Sequence, residues 1–450
     1  MCHTGGCCIL RRNRAGRRMT LSTQTTAPYP SLARACTVVL ILFATAVLAY
    51  TDRQVLSLLV DPIRHDLHIS DTQMSLLLGT AFAAIYGVAG VPLGFLADRT
   101  SRRNLIVAGV LIWSVGTLMC AVAPSFAMLF VGRVVVGLGE AVLSPAAISL
   151  ISDTFEPKRR GLAVGTFFTG IAVGIGGSIL IGGGVLDLVR DGLFAATPVA
   201  HWAQWRLVLL AVGLPSMLWA LLLLVIKEPV RRHDQVFEEN LPPAAGQNSL
   251  FPILRRMAPV FLVVAVASMV DNAVGAWAPS LLIRQFGMDP AKVGVELGLL
   301  LMLGYGGGML AGGALADRFA IWRGRNGKIE LCCLAVVATL PAAVMINSHS
   351  ASGVMFAVPI YFALSAVVTA SGLSAILDAT PNRMRGRAMA ISFFLNVAIG
   401  AGFGPTAVAL AGDHVFGPGA GLGPAISFTV VVSYLLAALV LAAAIRTRRS

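Results

Sequence analysis

The feature that most constrains this chain is a series of twelve apolar segments, each about 20 residues long, the length an α-helix needs to cross a bilayer. The segments begin near residues 36, 72, 104, 125, 160, 204, 257, 291, 329, 351, 386 and 423. Of the 450 residues, 57% are hydrophobic and only 12% are charged, whereas soluble domains carry about 25% charged residues. The sequence therefore predicts an all-α polytopic membrane protein with twelve transmembrane helices.

The net charge of +13 would also suit a nucleic-acid-binding protein, but the positions of the basic residues favour another explanation. When the loops are assigned alternately to the two sides of the membrane, 27 of the 34 Lys and Arg fall on the side of the N-terminus and two lie within helices. The five on the other side are Arg64, Arg190, Arg206, Arg284 and Lys292. Cytoplasmic loops carry such an excess. We therefore expect both termini to lie in the cytoplasm, and membrane lipid rather than nucleic acid to be the partner of the basic residues.

The cysteines and histidines predict neither a disulfide framework nor a metal site. None of the seven Cys lies in a predicted external loop, and no metal-ligand spacing occurs. A nucleophile elbow, a phosphate-cradling loop and an HExxH motif are all missing from the sequence, so we expect no catalytic residue and no cofactor. A membrane enzyme and a non-transporting sensor or channel are the remote alternatives. Residues 1–18 contain five Arg and three Cys without an apolar core, which excludes a signal peptide and leaves Met19 as an alternative start.

An internal repeat divides the chain into two halves. A shift of 219 residues places Asp52 on Asp271, Gly79 on Gly298, Tyr86 on Tyr305, and residues 96–99 on residues 315–318. Two copies of a six-helix unit in the same orientation imply a pseudo-two-fold axis along the membrane normal, with a binding site between the halves near the midplane. The expected organisation is a cytoplasmic arm (1–35), a first bundle (36–227), a cytoplasmic linker (228–256), a second bundle (257–446) and a tail (447–450).

Two motifs carry a family resemblance. The segment GFLADRTSRR (94–103), with a degenerate copy GALADR (313–318), resembles the loop signature of the major facilitator superfamily. The pattern Arg133-x-x-x-Gly137-x-Gly139 resembles the helix 4 motif of that superfamily. Within the superfamily, three segments are similar to the Spinster branch. They are TDRQVLSLLVDPI (51–63), SDTQMSLLLGTAFAAIYGVAGVPLGFLADR (70–99) and GLGEAVLSPAAISLISDTFEPKRRG (137–161).

The resemblance implies a major facilitator fold of two six-helix bundles and alternating-access transport of an amphiphilic or lipid-like substrate, such as a lysophospholipid or a sphingoid compound. Protons are the implied second partner, and the implied location is a bacterial inner membrane. We expect a monomer. Ser101 departs from the family pattern, where Gly is usual, and helix 5 lacks the Gly-Pro pair of many antiporters, which leaves the exchange mode open. Proton-linked uptake of a small organic acid and drug efflux are the alternative functions.

Four charged residues lie within apolar segments of the first half. A charge in the membrane is costly and is usually retained because function needs it. We predict that Asp52 and Glu140 carry protons and that Arg53 and Arg133 are their charge partners or bind an anionic group. Arg133 and Glu140 are seven residues apart, which places them on one helix face about 10 Å apart along the axis. The alternative is a static ion-pair network that only fixes helix packing.

Of these four charged residues, only Asp52 has a charged counterpart in the second half. Asp271 is the counterpart of Asp52, whereas Asn272 replaces Arg53, and Val358 and Ser365 replace Arg133 and Glu140. We expect Asp271 and Asn272 to form a polar floor of the cavity, or alternatively to support a bend before Pro279. The other candidate lining residues are Tyr86, Tyr305, Trp277, Asn396, Phe167, Phe168, Phe393 and Phe394. The alternative for each aromatic residue is core packing or contact with lipid.

The loop signature implies an inner gate on the cytoplasmic side. In the superfamily its acid, here Asp98, lies at the N-terminus of helix 11 in the outward-open state, where the helix dipole stabilises an anion. The arginines of the loop are expected to pair with the two acids at the end of helix 4. The residues of this predicted gate are Gly94, Asp98, Arg99, Arg102, Arg103, Asp153 and Glu156. The alternative is that the arginines serve only as a topology signal.

Overall fold

The computed structural model describes residues 29–231, 251–381, 384–417 and 421–449, with a few side chains in its helices left undescribed. Within these residues, twelve helices are long and apolar enough to cross a membrane, which confirms the predicted number. In chain order, α1 to α12 are Leu32–Leu58, Asp71–Gly90, Arg102–Ala121, Phe126–Thr154, Lys158–Arg190, Gln204–Leu223, Phe251–Phe286, Pro290–Arg323, Gly327–Met345, Ala351–Ala379, Arg387–Phe416 and Leu422–Ala444. The helix of α2 continues to Arg99. Within the described residues the chain is helical and contains no strand.

Polar residues at the loop ends start several helices. The hydroxyl of Ser70 accepts a hydrogen bond from the Gln73 backbone N–H at 3.1 Å, and the Gln73 side chain accepts one from the Ser70 N–H at 2.9 Å. This reciprocal capping box satisfies two backbone donors at the start of α2. The side chains of Ser125 and Ser350 cap α4 and α10 in the same position. These side chains satisfy backbone donors at the starts of α2, α4 and α10.

The helices pack as two groups that meet along two main seams. Helices α1 to α6 contact mainly one another, as do α7 to α12. Between the groups, α5 packs along α8, and α2 packs along α11. Residues 232–250 of the expected linker and residues 1–28 of the expected arm lie outside the described residues, as does Ser450 of the expected tail. The domain boundaries therefore stay predictions.

The two groups are in close contact at one end of the molecule. Because the twelve described spans alternate in direction, the start of α1 and the end of α12 lie on one face, called here the terminal face, and the opposite one is the far face. Near the far face, a Cβ added to Gly183 of α5 would lie 2.7 Å from the Ala291 carbonyl oxygen and 2.8 Å from the Gly294 Cα. Small residues permit this close crossing of α5 and α8. The Arg190 guanidinium also reaches the Asp289 carboxylate at 2.5 Å.

Ionic and polar contacts cross the far face between α7 or α11 and the first group. Arg284 donates hydrogen bonds to Asp61 at 2.6 Å and to both carboxylate oxygens of Asp71 at 2.9 and 3.0 Å. The Thr72 hydroxyl donates to the Asp413 carboxylate at 2.6 Å. These contacts hold the two helix groups together on the far face.

Towards the terminal face the same helices separate. A Cβ added to Gly90 or Gly94 of the α2 helix, or to Gly161 or Gly165 of α5, would meet no atom of the described residues within 4 Å. Because the same two helices are crowded near the far face, the space between the groups is closed at the far face and widens towards the terminal face.

Candidate functional site

A cavity of about 410 Å³ lies between the two helix groups. Its lining comes from α1, α2, α4 and α5 of the first group and from α7, α8, α10 and α11 of the second. The walls are mainly apolar, and the charged residues of the described lining are Arg53, Glu140 and Asp271. A central cavity formed by both repeats was the expected location of a binding site, and these three residues are its charged groups.

Arg53 and Glu140 form an ion pair in the cavity wall. The Arg53 guanidinium donates from Nε and Nη2 to one oxygen of Glu140, at 3.2 and 2.7 Å. The other oxygen, Oε1, has no hydrogen-bond partner among the described residues. The guanidinium also lies 3.9 Å from the ring centre of Phe82 and 4.7 Å from that of Tyr50. The pair therefore combines a cation held by aromatic rings with a carboxylate that keeps one oxygen uncommitted.

Arg133 lies outside the cavity, although it occupies the same face of α4 as Glu140. Its Nε donates to the Leu77 carbonyl oxygen at 3.0 Å, and its Nη2 donates to the Arg53 carbonyl oxygen at 3.4 Å. Leu77 belongs to a π-helical turn in α2. Arg133 thus ties the backbones of α1 and α2 to α4, and the direct ionic partner of Glu140 is Arg53. The role of Arg133 in binding an anion stays a prediction.

Asp52 also faces away from the cavity. Its carboxylate is 1% exposed and accepts a hydrogen bond from the Ser216 hydroxyl of α6 at 2.8 Å. The Asp52 Oδ1 atom has no hydrogen-bond partner among the described residues. The neighbours Asp52 and Arg53 therefore face different parts of the molecule, since Asp52 contacts α6 and Arg53 lines the cavity. The proton-carrying role of Asp52 stays a prediction.

The second group presents one acid to the cavity. Asp271 Oδ1 accepts hydrogen bonds from the Tyr361 hydroxyl at 3.0 Å and the Ser365 hydroxyl at 2.6 Å. The Ser365 hydroxyl lies 2.8 Å from the Tyr434 hydroxyl, which extends the network to α12. Asn272 also lines the cavity, and its Nδ2 donates to the Ser268 carbonyl oxygen at 2.8 Å.

The aromatic candidates divide between the cavity and the packed interior. Tyr86, Tyr305, Asn396, Phe168 and Phe393 line the cavity. The rings of Phe168 and Phe393 stack across the two helix groups, with centroids 5.7 Å apart and planes at 6°.

Three candidates lie elsewhere. Phe167 and Trp277 are fully buried outside the cavity lining, and the Trp277 indole N–H donates to the Pro405 carbonyl oxygen at 2.9 Å. Phe394 lies against Gly87 of the α2 helix. Trp277 and Phe394 therefore support the contacts of α7 and α2 with α11 rather than lining the cavity wall.

A polar cluster on the terminal face includes three of the predicted gate residues. Arg102 binds Asp153 at the end of α4, and its Nε donates to Glu228 at 2.8 Å. The backbone N–H of Arg103 donates to the same Glu228 carboxylate at 2.9 Å. The Arg231 guanidinium donates to the Ala97 carbonyl oxygen at 2.8 Å. The cluster lies within the first helix group. It joins the end of the α2 helix, the start of α3, the end of α4 and the segment that follows α6.

Among the other predicted gate residues, Arg99, Glu156 and Gly94 do not join this cluster in the described part of the structure. Arg99 and Glu156 are exposed, and Gly94 faces open space. The side chain of Asp98 lies outside the part of the structure that is described. Of the predicted pairs between loop arginines and the acids of helix 4, the structure shows Arg102 with Asp153. The role of the seven residues as a gate stays a prediction.

Sequence reasoning overlooked several partners. Glu228 and Arg231 were assigned to the linker, although a charged pair next to a Pro at the end of an apolar segment is a recognisable helix-end signal. Ser365 was noted only as the position that matches Glu140. Ser216 and Tyr361 lie in apolar segments with no local pattern that marks them as partners of Asp52 and Asp271.

Comparison with known proteins decides the family. The sequence model of the Major Facilitator Superfamily matches residues 42–405. The chain belongs to the Major Facilitator Superfamily. An MFS-type efflux pump of Mycolicibacterium smegmatis is 29% identical over 388 residues, which cover 85% of each chain.

The relatives within this superfamily include Spinster proteins. Protein spinster of Drosophila melanogaster is 26% identical over 316 residues, covering 67% of this chain and 49% of that one. Protein spinster homolog 1 of Homo sapiens is 30% identical over 263 residues, covering 56% and 46%. The chain thus matches about half the length of these Spinster proteins.

A solved structure agrees with this placement. A bacterial homologue of the human lysosomal transporter Spinster, in an inward-facing and occupied conformation, superposes with a TM-score of 0.77 at 25% identity. The alignment covers 93% of this chain and 98% of that one. The predicted major facilitator fold and Spinster-like type are confirmed, and the chain is a multi-pass membrane transporter of this superfamily.

Proposed function

We propose that this transporter is a secondary carrier that moves an amphiphilic, lipid-like substrate by alternating access in exchange with, or together with, protons. The observation that carries the proposal is the cavity between the two repeats, whose apolar walls contain the Arg53–Glu140 pair and Asp271. Apolar walls suit an acyl chain, and a few placed polar groups suit a head group. Lysophospholipids and sphingoid compounds have this architecture.

Proton coupling is proposed for Glu140, with Arg53 as its partner. A carboxylate in a poorly hydrated cavity changes its proton occupancy when water or a counter-charge reaches or leaves it. Glu140 is 3% exposed, lines the cavity and has one uncommitted oxygen. A substrate anion that attracts the Arg53 guanidinium would weaken its bond to Glu140 and favour protonation. Asp52 is a second, more deeply enclosed candidate.

The proposed orientation places the terminal face in the cytoplasm of a bacterial cell, with both termini inside. It is supported by the excess of Lys and Arg in the loops of that face. The far face, closed by Arg284 with Asp61 and Asp71, is then external. The molecule is accordingly in an inward-facing state, the state named for the similar bacterial structure. We propose a monomer that carries out no catalysis and binds no nucleic acid.

The test is flux of a radiolabelled lysophospholipid into proteoliposomes that contain the purified protein, with and without an imposed pH gradient. The wild type is expected to show saturable flux that the gradient accelerates. Glu140→Gln is expected to lose the dependence on the gradient. Asp52→Asn is the matched comparison, because it removes a membrane carboxylate outside the cavity. Unchanged gradient dependence in both variants would contradict proton coupling through these residues.

Efflux of apolar drugs is the second candidate function. It is favoured by the similarity to the MFS-type efflux pump, which covers 85% of each chain. In the same vesicles, an efflux pump would move a cationic dye such as ethidium faster than the lysophospholipid. Uptake of a small organic acid is a weaker candidate, since the probable L-galactonate transporter of Escherichia coli matches only 31% of this chain.

A further inference from the structure

Asp271 stands out among the cavity residues because its charge has no ionic partner. Its Oδ1 accepts hydrogen bonds from two hydroxyl groups, of Tyr361 and Ser365, and its Oδ2 accepts none from the described residues. No described Lys, Arg or His forms an ion pair with it. The one cation of the described cavity lining, Arg53, is already bound to Glu140. An ionised Asp271 therefore gives the cavity an uncompensated negative charge.

Two aromatic rings line the same cavity as this carboxylate. They belong to Tyr305 and Phe362, with ring centroids 6.1 Å apart and planes at 71°. A Cβ added to Gly275, one helical turn after Asp271, would lie 3.7 Å from the tip of the Phe362 ring. The two rings therefore flank the same stretch of α7 that presents the carboxylate.

A carboxylate beside aromatic faces is a combination that recognises organic ammonium groups. The carboxylate supplies the counter-charge, and the negative face of each ring attracts the cation in a poorly hydrated site. A small hydrated metal ion would need several oxygen ligands, whereas this site offers one carboxylate and hydroxyl groups. In the described part of the chain, no group of three His, Cys, Asp or Glu side chains is placed to hold a metal.

We propose that Asp271, with Tyr305 and Phe362, binds the ammonium group of the transported amphiphile and so determines head-group specificity. This inference rests on the proposed function, because it assumes an amphiphilic substrate in the cavity. It assigns recognition of the ammonium group to the second helix group, whereas the Arg53–Glu140 pair belongs to the first. Ser365 and Tyr361 are positioning residues that hold the carboxylate towards the cavity.

The experiment compares two lysophospholipids with the same acyl chain and the same phosphate. Lysophosphatidylethanolamine carries an ammonium group, and lysophosphatidylglycerol carries a neutral glycerol in its place. Their binding to the full-length protein in nanodiscs is measured at constant pH. The wild type is expected to bind the ethanolamine lipid about tenfold more tightly, a difference of about 1.4 kcal/mol. Asp271→Asn is expected to bind both lipids equally.

Two further variants keep the test independent of folding. Asp271→Glu retains the charge and is expected to keep part of the preference. Ser365→Ala removes a hydroxyl that positions the same carboxylate and leaves its charge, so the preference is expected to fall to a value between those of the wild type and Asp271→Asn.

Three results would overturn the inference. Equal binding of both lipids by the wild type would refute it and leave the proposed amphiphile carrier intact, whereas no binding of either lipid would refute both. A preference that persists in Asp271→Asn would show that another group recognises the ammonium.

Discussion

Adjacent residues on α1 face different surroundings, and this separates the roles of its two charges. Neighbouring positions on a helix are about 100° apart, so Asp52 turns towards Ser216 of α6 while Arg53 turns into the cavity. The same geometry separates Phe167 from Phe168 on α5, of which only Phe168 lines the cavity. The chemistry proposed for the cavity therefore depends on Arg53 and Glu140 more directly than on Asp52.

The Arg53–Glu140 pair predicts a strong coupling between two substitutions. Removing one member of a buried ion pair leaves a charge without a partner and costs about 3–5 kcal/mol, whereas replacing both costs less than the sum. We expect Arg53→Gln to lower the unfolding temperature in detergent more than the double variant with Glu140→Gln does. Losses that simply add would show that the pair does not stabilise the fold.

At the scale of the helix, glycines set how closely α5 approaches α8. A Cβ at Gly183 would collide with the backbone of Ala291 and Gly294, whereas a Cβ at Gly184 would meet no described atom within 4 Å. The crowded position lies on the contact between the two helix groups, and its neighbour lies off it.

Gly183→Val is therefore expected to destabilise the far-face closure by about 1–3 kcal/mol, the range typical of overpacking. The unfolding temperature and the rate of substrate flux should both fall. Gly184→Val is the matched control and should leave both unchanged. Equal effects of the two substitutions would contradict the close packing of α5 on α8.

The terminal-face cluster predicts a pH effect on stability. Burial alone would raise the pKa of Glu228, but hydrogen bonds from Arg103, Arg102 and Ser101 outweigh it and lower the pKa below the ordinary value of 4.5. A group with a lowered folded pKa stabilises the fold fully above its unfolded pKa, and loses that contribution as the pH falls through the folded value.

Glu228→Gln is therefore expected to lower the unfolding temperature at pH 7 and to make it less sensitive to acid below about pH 4.5. Glu296→Gln, at an exposed position with one loose contact to Lys292, is the control. The interpretation fails if the acid sensitivity of the Glu228 variant matches that of the wild type.

At the scale of the whole molecule, the sequence predicts the fold more completely than it predicts the residues of the site. Twelve spans and two repeats follow from hydropathy and from matched positions such as Asp52 and Asp271. The cavity-facing side of each helix does not follow, because a membrane helix that is apolar all round has no amphipathic pattern that marks one face. Hydropathy alone therefore does not separate Phe167, Trp277 and Phe394 from the residues that line the cavity. It also does not mark Ser216 and Tyr361 as partners of the membrane acids.

The contacts of Arg284 predict that the two helix groups separate at the far face when these contacts are removed. Arg284→Gln breaks the bonds to Asp61 and Asp71 and is expected to favour opening of the far face. Spin labels on cysteines at positions 65 and 415 would report a longer distance between the halves. Lys292→Gln removes a far-face charge whose carboxylate contact, Glu296, lies on the same helix, and it should leave the distance unchanged. An unchanged distance in Arg284→Gln would show that these ion pairs do not hold the face closed.

We propose that substrate movement through the cavity is coupled to a proton on Glu140. A trapped pH-sensitive dye can follow the internal pH of proteoliposomes while a lysophospholipid is added outside. A substrate-dependent pH change is expected with the wild-type protein and none with Glu140→Gln. A pH change of the same size in Glu140→Gln, or lysophospholipid flux through the wild type without any pH change, would contradict it.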